Sequence, residues 1–448
     1  MVRTGGELFV DILSQYGVTH IFGNPGTTEL PVVHAIADSD IEYVLGLHED
    51  IAVGMAGGYA STRRYHAHHE VGPLEEGEIL PLGVVNLHLN AGLAHGLGNL
   101  YAAQVAGAPL LVTAGNHSRD FRHEEPILSG DLVDMAQEYT KWSAEVLDVE
   151  ALPTMLRRAV RTALTPPTGP VFLALPLDVM LAEADTGPER LGPVPDAGRG
   201  DPDQVARAAE LVVEADDVTM VVGDGVARSG RDAVEAAVAF AEVAGARVQG
   251  EILACEVDFP TDHDQWVSYI PPDAELARTL LSADVLLFVG CSTNTTLVRH
   301  EGALVPEGTT CIHVGDDAWQ LGKNQPADCA VVGDPGHVLR ELTDLVGADL
   351  AEATREARLE TVAAQKEFVA AKTRELGEDE APDDPRASKA ELVDAMYGVA
   401  PDAYIVDEGV TARYAMLTRW PMGPEQYISN KGGGLGYGLP AAVGAAIA

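Results

Sequence analysis

"LGVVNLHLNAGLAHGLGNLYAAQVAGAPLLVTAGNH" (82–117) is the stretch that indicates the fold class of this chain. An apolar run, "LGVVNLHLN", leads into a segment of helical character, and a second apolar run, "PLLVTAGNH", follows it. Strands that alternate with helices form a parallel sheet covered on both faces. Because "THIFGNPG", "EYVLGLHE" and "GPVFLALP" repeat the pattern, we predict an α/β fold of doubly wound parallel-sheet domains.

Segments rich in proline, glycine and acidic residues divide the chain into three such αβ units. The predicted organisation is a first domain over 1–182, a linker over 183–202, a central Rossmann-like domain over 203–350, a helix and acidic linker over 351–388, and a third domain over 389–448. Parallel sheets are buried on both faces, and the third unit offers too few elements to cover one. We therefore expect either that the third domain is truncated at Ala448 or that a partner polypeptide supplies the rest.

The charge balance of the chain indicates the salt content of its solvent rather than the identity of a ligand. Against 69 acidic residues stand 29 basic ones, of which six are lysines, and the net charge is −40. Such a surface repels nucleic acids and anionic membranes, so neither is an expected partner. Scarce lysine and acid spread along the chain predict a halophilic, haloarchaeal protein.

Three further features bear on location and on cysteine chemistry. The sequence has no apolar run of membrane-spanning length, and its N-terminus has no signal-peptide pattern. We expect a cytoplasmic protein. The four cysteines lie far apart in apolar surroundings, which favours buried thiols over a disulfide framework or a zinc site.

Polar or glycine-rich loops follow three of the predicted strands: "GNPGTTELP" (23–31), "NLHLNAGLAHGLGNLY" (86–101) and "GNHSRDFRHEEP" (115–126). Ligands of open α/β sheets bind at the carboxyl ends of the strands. We therefore predict that Thr27, Glu49, His88 and His117 lie along one rim.

The helix "LHEDIAVGMAGGYA" (47–60) combines an acidic start with glycines at 54, 57 and 58. Each interior glycine costs a helix about 1 kcal/mol relative to alanine. We interpret the three glycines as positions of close approach by backbone or by a bound ring.

In chain order, "GNPGTTELP", "LHEDIAVGMAGGYA", "VVNLHLNAGLAHGLGNLY", "VTAGNHSRD", "KWSAEV", "GPVFLALPLDVM", "VVGDGVARSG", "IVDEGVTARY" and "GGGLGYGLPAAVGAAIA" resemble the motifs of thiamine diphosphate-dependent 2-oxo acid enzymes. The residues of these motifs are most similar to those of the benzoylformate decarboxylase branch, and the acetolactate synthase-like enzymes form the neighbouring branch. The resemblance implies that the three domains bind the cofactor's pyrimidine, form the family's central domain, and bind its diphosphate.

The resemblance also implies roles for individual residues. Glu49 would hydrogen-bond N1′ of the cofactor's pyrimidine, with a simple helix-terminus acid as the alternative. His88 would face the substrate and protonate the carbanion left by carbon dioxide, or else be hydrogen-bonded inside its loop. Thr27 would lie near the substrate carboxylate, or cap the following helix. The remaining implied cofactor contacts are Gly26, Thr411, Gly433, Gly434 and Leu435.

The chain departs from the family pattern in several places. Leu297 aligns with the branch's second histidine, and His300 lies one helical turn on, so the second acid/base group stays open. The histidines at 66, 68 and 69 lie in an extended connection that we interpret as a solvated loop rather than a metal site.

Two cofactor questions follow from the glycine motifs. Asp224, in "VVGDG", imitates the start of the family's metal motif but falls in the central domain, where we expect only a turn into a helix. Ligands of Mg²⁺ are therefore expected beyond Ala448, and none is assigned in this chain. Some relatives hold FAD in the central domain, but a lone G-x-G is weak support for it, and FAD is only a secondary expectation.

The predicted function is a thiamine diphosphate-dependent lyase or carboligase that acts on a 2-oxo acid through a C2-ylid and an enamine. The alternatives are an acetolactate synthase-like transferase, with or without FAD, and a non-catalytic truncated relative that acts as a binding subunit. The resemblance implies a homodimer or homotetramer with its sites between subunits.

Overall fold

The computed structural model describes residues 2–67, 80–296, 299–378 and 386–448, with only the backbone over 373–378. It forms two compact units, one of Met1–Asp196 with Asn430–Ala448 and one of Ala197–Ser429. The predicted domain boundaries remain a prediction, because the two compact units describe how the chain packs and not where its domains begin and end. No helix within the described ranges is long and apolar enough to cross a membrane.

The elements up to Ala184 are β1 (Arg3–Thr4), α1 (Gly5–Gln15), β2 (His20–Asn24), α2 (Leu30–Ile36), β3 (Glu42–Leu45), α3 (Glu49–His66), β4 (Gly83–Leu87), α4 (Ala91–Val105), β5 (Leu110–Asn116), α5 (Leu132–Gln137), β6 (Ser143–Glu145), α6 (Leu152–Leu164), β7 (Val171–Pro176), α7 (Leu177–Leu181) and β8 (Glu183–Ala184). Those of the second unit are α8 (Pro202–Glu214), β9 (Val218–Val222), α9 (Gly225–Arg228), α10 (Arg231–Ala244), β10 (Arg247–Gly250), β11 (Trp266–Tyr269), α11 (Ala274–Leu280), β12 (Val285–Val289), β13 (Thr310–Gly315), β14 (Cys329–Val332), α12 (Pro335–Asp349), α13 (Glu352–Glu378), α14 (Lys389–Val399), β15 (Ile405–Asp407), α15 (Arg413–Arg419) and β16 (Tyr427–Ser429). The first unit is completed by α16 (Gly438–Ile447).

The first unit is built on a six-stranded sheet in the order β3-β2-β4-β5-β7-β6, and every pair in it is parallel. Successive residues of β5 alternate between its two faces, so Leu111 joins one apolar core and Val112 the other. Both β4 and β5 are buried along their whole length, which explains their continuous apolar runs. The predicted doubly wound α/β fold is confirmed.

The second unit has a six-stranded parallel sheet in the order β11-β10-β9-β12-β13-β14 and a separate parallel pair, β15-β16. The sequence prediction did not identify β10, because Arg247 and Gln249 interrupt its apolar pattern. Both side chains are buried, and Arg247 is paired with Asp217 at 2.8 Å. All four cysteines are free and buried.

Helix α3 packs against α16 through small residues on both helices. A Cβ placed on Gly58 would lie 2.1 Å from the carbonyl oxygen of Ala441, and one on Gly444 would lie 1.8 Å from that of Met55. Gly54 is similarly enclosed by Asn99 and Pro440, each 3.0 Å from the added Cβ. The interpretation of close approach is therefore confirmed for Gly54 and Gly58.

For Gly57 the described chain shows no close approach, since a Cβ there would meet no protein atom within 4 Å. The two neighbouring glycines therefore offer a matched test. We expect Gly58→Ala to lower the free energy of unfolding by about 1–3 kcal/mol, through overpacking against backbone that cannot move cheaply. Gly57→Ala should raise it by up to about 1 kcal/mol through helix propensity. Urea unfolding of both variants provides the measurement, and equal effects would contradict the α3–α16 contact.

His313 on β13 is fully buried in the second unit. Its Nδ1 accepts a hydrogen bond from the Gly322 backbone N–H at 3.0 Å, and its Nε2 has no hydrogen-bond partner among the described residues. Burial lowers the pKa of His313 to about 4.

This burial predicts an acid-dependent loss of stability. Above pH ~6.5, the usual pKa of histidine, the imidazole is neutral in both states. As the pH falls from there to about 4, only the unfolded chain takes up the proton, and up to about 3 kcal/mol of unfolding free energy is lost. We expect His313→Asn, whose amide oxygen can replace Nδ1 as acceptor, to flatten the pH dependence of urea unfolding over this window. The exposed His123→Asn serves as the control; equal slopes in wild type and His313→Asn would refute the prediction.

Candidate active site

The candidate site lies at the carboxyl ends of β2, β3 and β4 in the first unit. After β2 the chain forms a 3₁₀ turn over Thr27–Glu29, after β3 it reaches the start of α3, and after β4 it places His88 ahead of α4. Parallel neighbours bring these three ends to one edge of the sheet. This is the edge at which open α/β sheets bind ligands.

Glu49 is the first residue of α3 and is only 7% exposed. Its Oε2 lies 3.2 Å from Nδ1 of His95, which projects from α4. Its Oε1 faces Gly92, where a Cβ would come within 2.9 Å of both Oε1 and the Cβ of His88. Gly92 is therefore a point of close packing between Glu49 and His88, where no side chain fits.

Asp50, the next residue, has a structural role. Its Oδ1 and Oδ2 accept hydrogen bonds from the backbone N–H and side-chain amide of Asn99, at 2.7 and 3.0 Å. Burial raises the pKa of Asp50 above its usual range. These bonds hold α3 to α4 and fix the start of α3, so the two acids at the helix start serve different purposes.

His88 is held in place by a buried carboxylate that the sequence analysis missed. Its Nδ1 lies 2.9 Å from Oε2 of Glu29, whose residue is 1% exposed. The same carboxylate accepts hydrogen bonds from the backbone N–H groups of Gly26 and Gly115, at 2.7 and 2.8 Å, and from the Thr28 hydroxyl at 2.8 Å. With Nδ1 engaged, Nε2 is the nitrogen of His88 that is left to act on a ligand.

The signal for Glu29 was present in "GTTELP", where an acid lies inside the predicted loop rather than on a helix face. Gly26 in the same loop is required by His88, because a Cβ there would lie 2.2 Å from Nδ1 of that ring. Thr27 is exposed. The alternative in which Thr27 caps the next helix is wrong, since Glu29 is the N-cap residue of α2.

His117 follows β5 at the same edge, but its hydrogen bonds lead elsewhere. Its Nε2 donates to the carbonyl of Ile127 at 2.9 Å, and its backbone N–H donates to the side chain of Asn116. The predicted rim therefore unites Glu49 and His88 around Gly92, and His117 supports the loop that follows β5.

The glycine-rich segment before α16 runs along α4. A Cβ on Gly432 would lie 2.8 Å from the Cα of Ala102, and one on Gly434 would lie 4.0 Å from the carbonyl oxygen of Gly98. Gly433 has φ +73°, in the left-handed region that favours glycine. Leu435 is 78% exposed. In the first unit, this segment therefore lies next to the helix that carries Gly92 and His95.

Three of the remaining residues, Thr411, Leu297 and His300, belong to the second unit. Thr411 is exposed, between β15 and α15. Leu297 lies outside the described residues, as do His68 and His69. His300 is half-buried, and its Nε2 has no hydrogen-bond partner among the described residues.

Asp224 is a structural residue at the turn from β9 into α9, as predicted for "VVGDG". Its Oδ1 accepts hydrogen bonds from the backbone N–H groups of Cys255 and Glu256, at 2.7 and 3.1 Å. Together with buried Glu251, Glu256 and Asp258 it forms a set that we call the central acid cluster. Burial, together with the charges of Asp224 and Glu256, raises the pKa of Asp258 well above its usual range.

The site fits the aminopyrimidine of thiamine diphosphate in one specific respect. The buried Glu49 carboxylate and His88 both lie against Gly92, at the edge of the sheet where open α/β sheets bind ligands. Glu49 would accept the hydrogen bond from N1′ there.

Comparison with known proteins identifies the family of the chain. Residues 3–141 match the N-terminal TPP binding domain of thiamine pyrophosphate enzymes, and residues 205–342 match their central domain. A benzoylformate decarboxylase of Pseudomonas aeruginosa is 31% identical over 453 residues, an alignment that covers 100% of this chain and 79% of that protein. A probable acetolactate synthase large subunit of Methanocaldococcus jannaschii is 25% identical, with 99% and 73% covered.

Solved structures give the same result. The benzoylformate decarboxylase of Polynucleobacter necessarius superposes with a TM-score of 0.82 at 27% identity, covering 99% of this chain and 77% of that one. The 4-hydroxybenzoylformate decarboxylase of Rhodococcus jostii gives 0.79 at 28% identity, covering 99% and 79%. The chain therefore belongs to the thiamine pyrophosphate-dependent enzymes of the decarboxylase and acetolactate synthase type.

Proposed function

We propose that the chain catalyses the decarboxylation of a 2-oxo acid, in the manner of a benzoylformate decarboxylase. The observation that carries the proposal is the placement of the buried Glu49 carboxylate and of His88 against Gly92, at the carboxyl ends of neighbouring parallel strands. His88 has its Nδ1 tied to a buried carboxylate, so that its Nε2 is the nitrogen left to act on a ligand.

When thiamine diphosphate is bound, its thiazolium carbon supplies the nucleophile for the 2-oxo group and a sink for the electron pair released with carbon dioxide. Glu49 holds the hydrogen bond to N1′ and thereby orients the ring. Gly26, Gly433, Gly434, Leu435 and Thr411 are the further proposed cofactor contacts. Mg²⁺ is proposed with the cofactor, and no ligand for it is assigned here.

His88 has the role of a proton carrier. Imidazole titrates near neutral pH and can give or take a proton at Nε2. The Glu29 carboxylate accepts from Nδ1, which fixes the orientation of the ring. Glu29 is therefore proposed as a positioning residue, and Thr27 as an exposed group near the substrate carboxylate.

Carboligation of the acetolactate synthase type is the second candidate, and the likeness to the M. jannaschii protein favours it. We propose this activity without FAD. In the sheet, β9 lies between β10 and β12. The central acid cluster follows β9 at this point, which is where a dinucleotide would bind. Arg228 is paired with Asp224 and Glu256 of this cluster. Four acidic side chains against this one arginine still oppose the negative charge of a flavin diphosphate.

The test is product analysis with thiamine diphosphate, Mg²⁺ and a set of 2-oxo acids at high salt. Carbon dioxide and an aldehyde from benzoylformate support the decarboxylase, and acetolactate from pyruvate supports the carboligase. No carbon dioxide from any 2-oxo acid would refute both and favour a binding subunit.

We further propose a homodimer or homotetramer with sites between subunits. Residues 430–448 pack on α3 and α4, and two chains that exchange this segment would keep the same contacts. A Glu49→Gln chain and a Gly433→Val chain should each be inactive alone. Co-expressed, they should regain roughly a quarter of the wild-type activity, because each mixed dimer holds one intact site. No recovery in isolated mixed dimers would show that each chain builds its own site.

A further inference from the structure

His48, Glu49 and His95 form a cluster with the composition of a transition-metal site. One ligand atom from each residue lies within 4.8 Å of the other two. Across the described part of the chain, no other three His, Cys, Asp or Glu side chains satisfy this condition. The proposed function uses Glu49 alone of the three.

Glu49 and His95 already have the spacing of two ligands on one ion. Oε2 of Glu49 lies 3.2 Å from Nδ1 of His95. Two ligands of a tetrahedral Zn²⁺ ion, each about 2.1 Å from the metal, are about 3.4 Å apart. An ion can therefore enter this pair with little movement of either side chain.

His48, the third ligand, must lose a hydrogen bond in order to bind the ion. The ring of His48 is stacked on that of His95, with centroids 5.0 Å apart, and its Nδ1 accepts the N-cap hydrogen bond from the Asp50 backbone N–H at 3.2 Å. Metal binding at either nitrogen of His48 loses this bond, since binding at Nε2 leaves Nδ1 protonated. The loss is on the order of 1 kcal/mol, small beside the binding energy of a chelated ion.

In the single chain both histidines are exposed, so an ion reaches them from solvent, whereas the carboxylate is buried and held at the helix start. Two imidazoles and one carboxylate suit zinc and its neighbours in the first transition row, and leave a fourth position for water. Mg²⁺ prefers oxygen ligands and is not expected to bind.

We infer that His48, Glu49 and His95 bind a first-row divalent transition-metal ion, for which Zn²⁺ is the probe. The ion takes the carboxylate that the proposed function gives to the cofactor. On that function, therefore, Zn²⁺ and thiamine diphosphate exclude each other at Glu49.

The test is equilibrium dialysis of the full chain, free of cofactor, against Zn²⁺ with excess Mg²⁺ present. We expect one ion per chain beyond the background of a His48→Ser/His95→Asn double variant. Each single variant should weaken the binding at least about tenfold, and serine at 48 keeps the N-cap bond. His123→Gln, on an exposed histidine, should leave binding unchanged, as should His68→Gln/His69→Gln. Co²⁺ absorption of a tetrahedral site, lost in His95→Asn, gives a second readout.

Zinc binding that is equal in wild type and the double variant would overturn the inference. A separate titration with thiamine diphosphate and Mg²⁺ addresses the competition: Zn²⁺ should raise the apparent Kd of the cofactor in wild type but not in the double variant. If the cofactor fails to bind at all, the proposed function fails while the dialysis result still decides the metal site. If both ligands bind together without competition, the shared use of Glu49 is refuted.

Discussion

Replacing Glu49 by glutamine is expected to slow the exchange of the C2 hydrogen of bound thiamine diphosphate by about 10³-fold. Glutamine keeps the size and the hydrogen-bonding oxygen of the side chain but removes the charge that the pyrimidine needs in order to act as an internal base. The fold should be retained, because the bond from Glu49 to His95 is the only one that the charge change weakens among the described side-chain contacts. The measurement is deuterium exchange followed by NMR after rapid acid quench.

The matched control is Glu124→Gln, an exposed carboxylate in the same unit. It should leave exchange at the wild-type rate. Exchange in Glu49→Gln within a few fold of wild type, with cofactor shown to be bound, would remove Glu49 from the proposed role. Loss of exchange together with loss of cofactor binding calls for the same measurement at saturating cofactor, which separates the two effects.

His88→Ala should lower kcat for decarboxylation by about 10²–10³-fold while leaving C2 exchange close to wild type. The reason is that His88 is proposed to move a proton on the substrate rather than on the cofactor. Steady-state kinetics on the best 2-oxo acid, paired with the exchange measurement on the same sample, tests whether His88 acts on the substrate and not on the cofactor.

Glu29→Gln should have a kcat between those of the wild type and His88→Ala. The amide can still accept a bond at Nδ1 of His88, but it cannot balance an imidazolium charge. We expect kcat to fall by less than in His88→Ala, with KM little changed. An effect on C2 exchange as large as that on kcat in both variants would assign His88 to cofactor binding instead of proton transfer.

The sequence was sufficient for the fold class, for reasons that specific elements show. Strands β4 and β5 are buried on both faces, so their apolar runs identify them without any knowledge of neighbours. Strand β10 is also buried, but it carries Arg247 and Gln249, whose partners lie elsewhere in the chain. A pattern of local residues cannot reveal a polar side chain that is satisfied from a distance.

The same limit applies to the site. Glu49 was recognised through the motif around it, whereas Glu29 and His95 were not, because their importance comes from contacts across the sheet edge and between helices. Gly57 and Gly58 look alike in sequence, yet only Gly58 is enclosed. Such differences depend on α16, which the chain reaches only after the whole second unit.

That separation has a consequence for how the protein is made. The small-residue face of α3 is covered by residues 430–448, while Met1–Asp196 supplies the rest of the first unit. At bacterial synthesis rates, the ribosome takes on the order of tens of seconds to move from the one segment to the other. During that interval a nascent first unit presents an uncovered helix face. Newly made chains should therefore be most prone to chaperone capture and to cross-pairing with a neighbouring nascent chain during this interval.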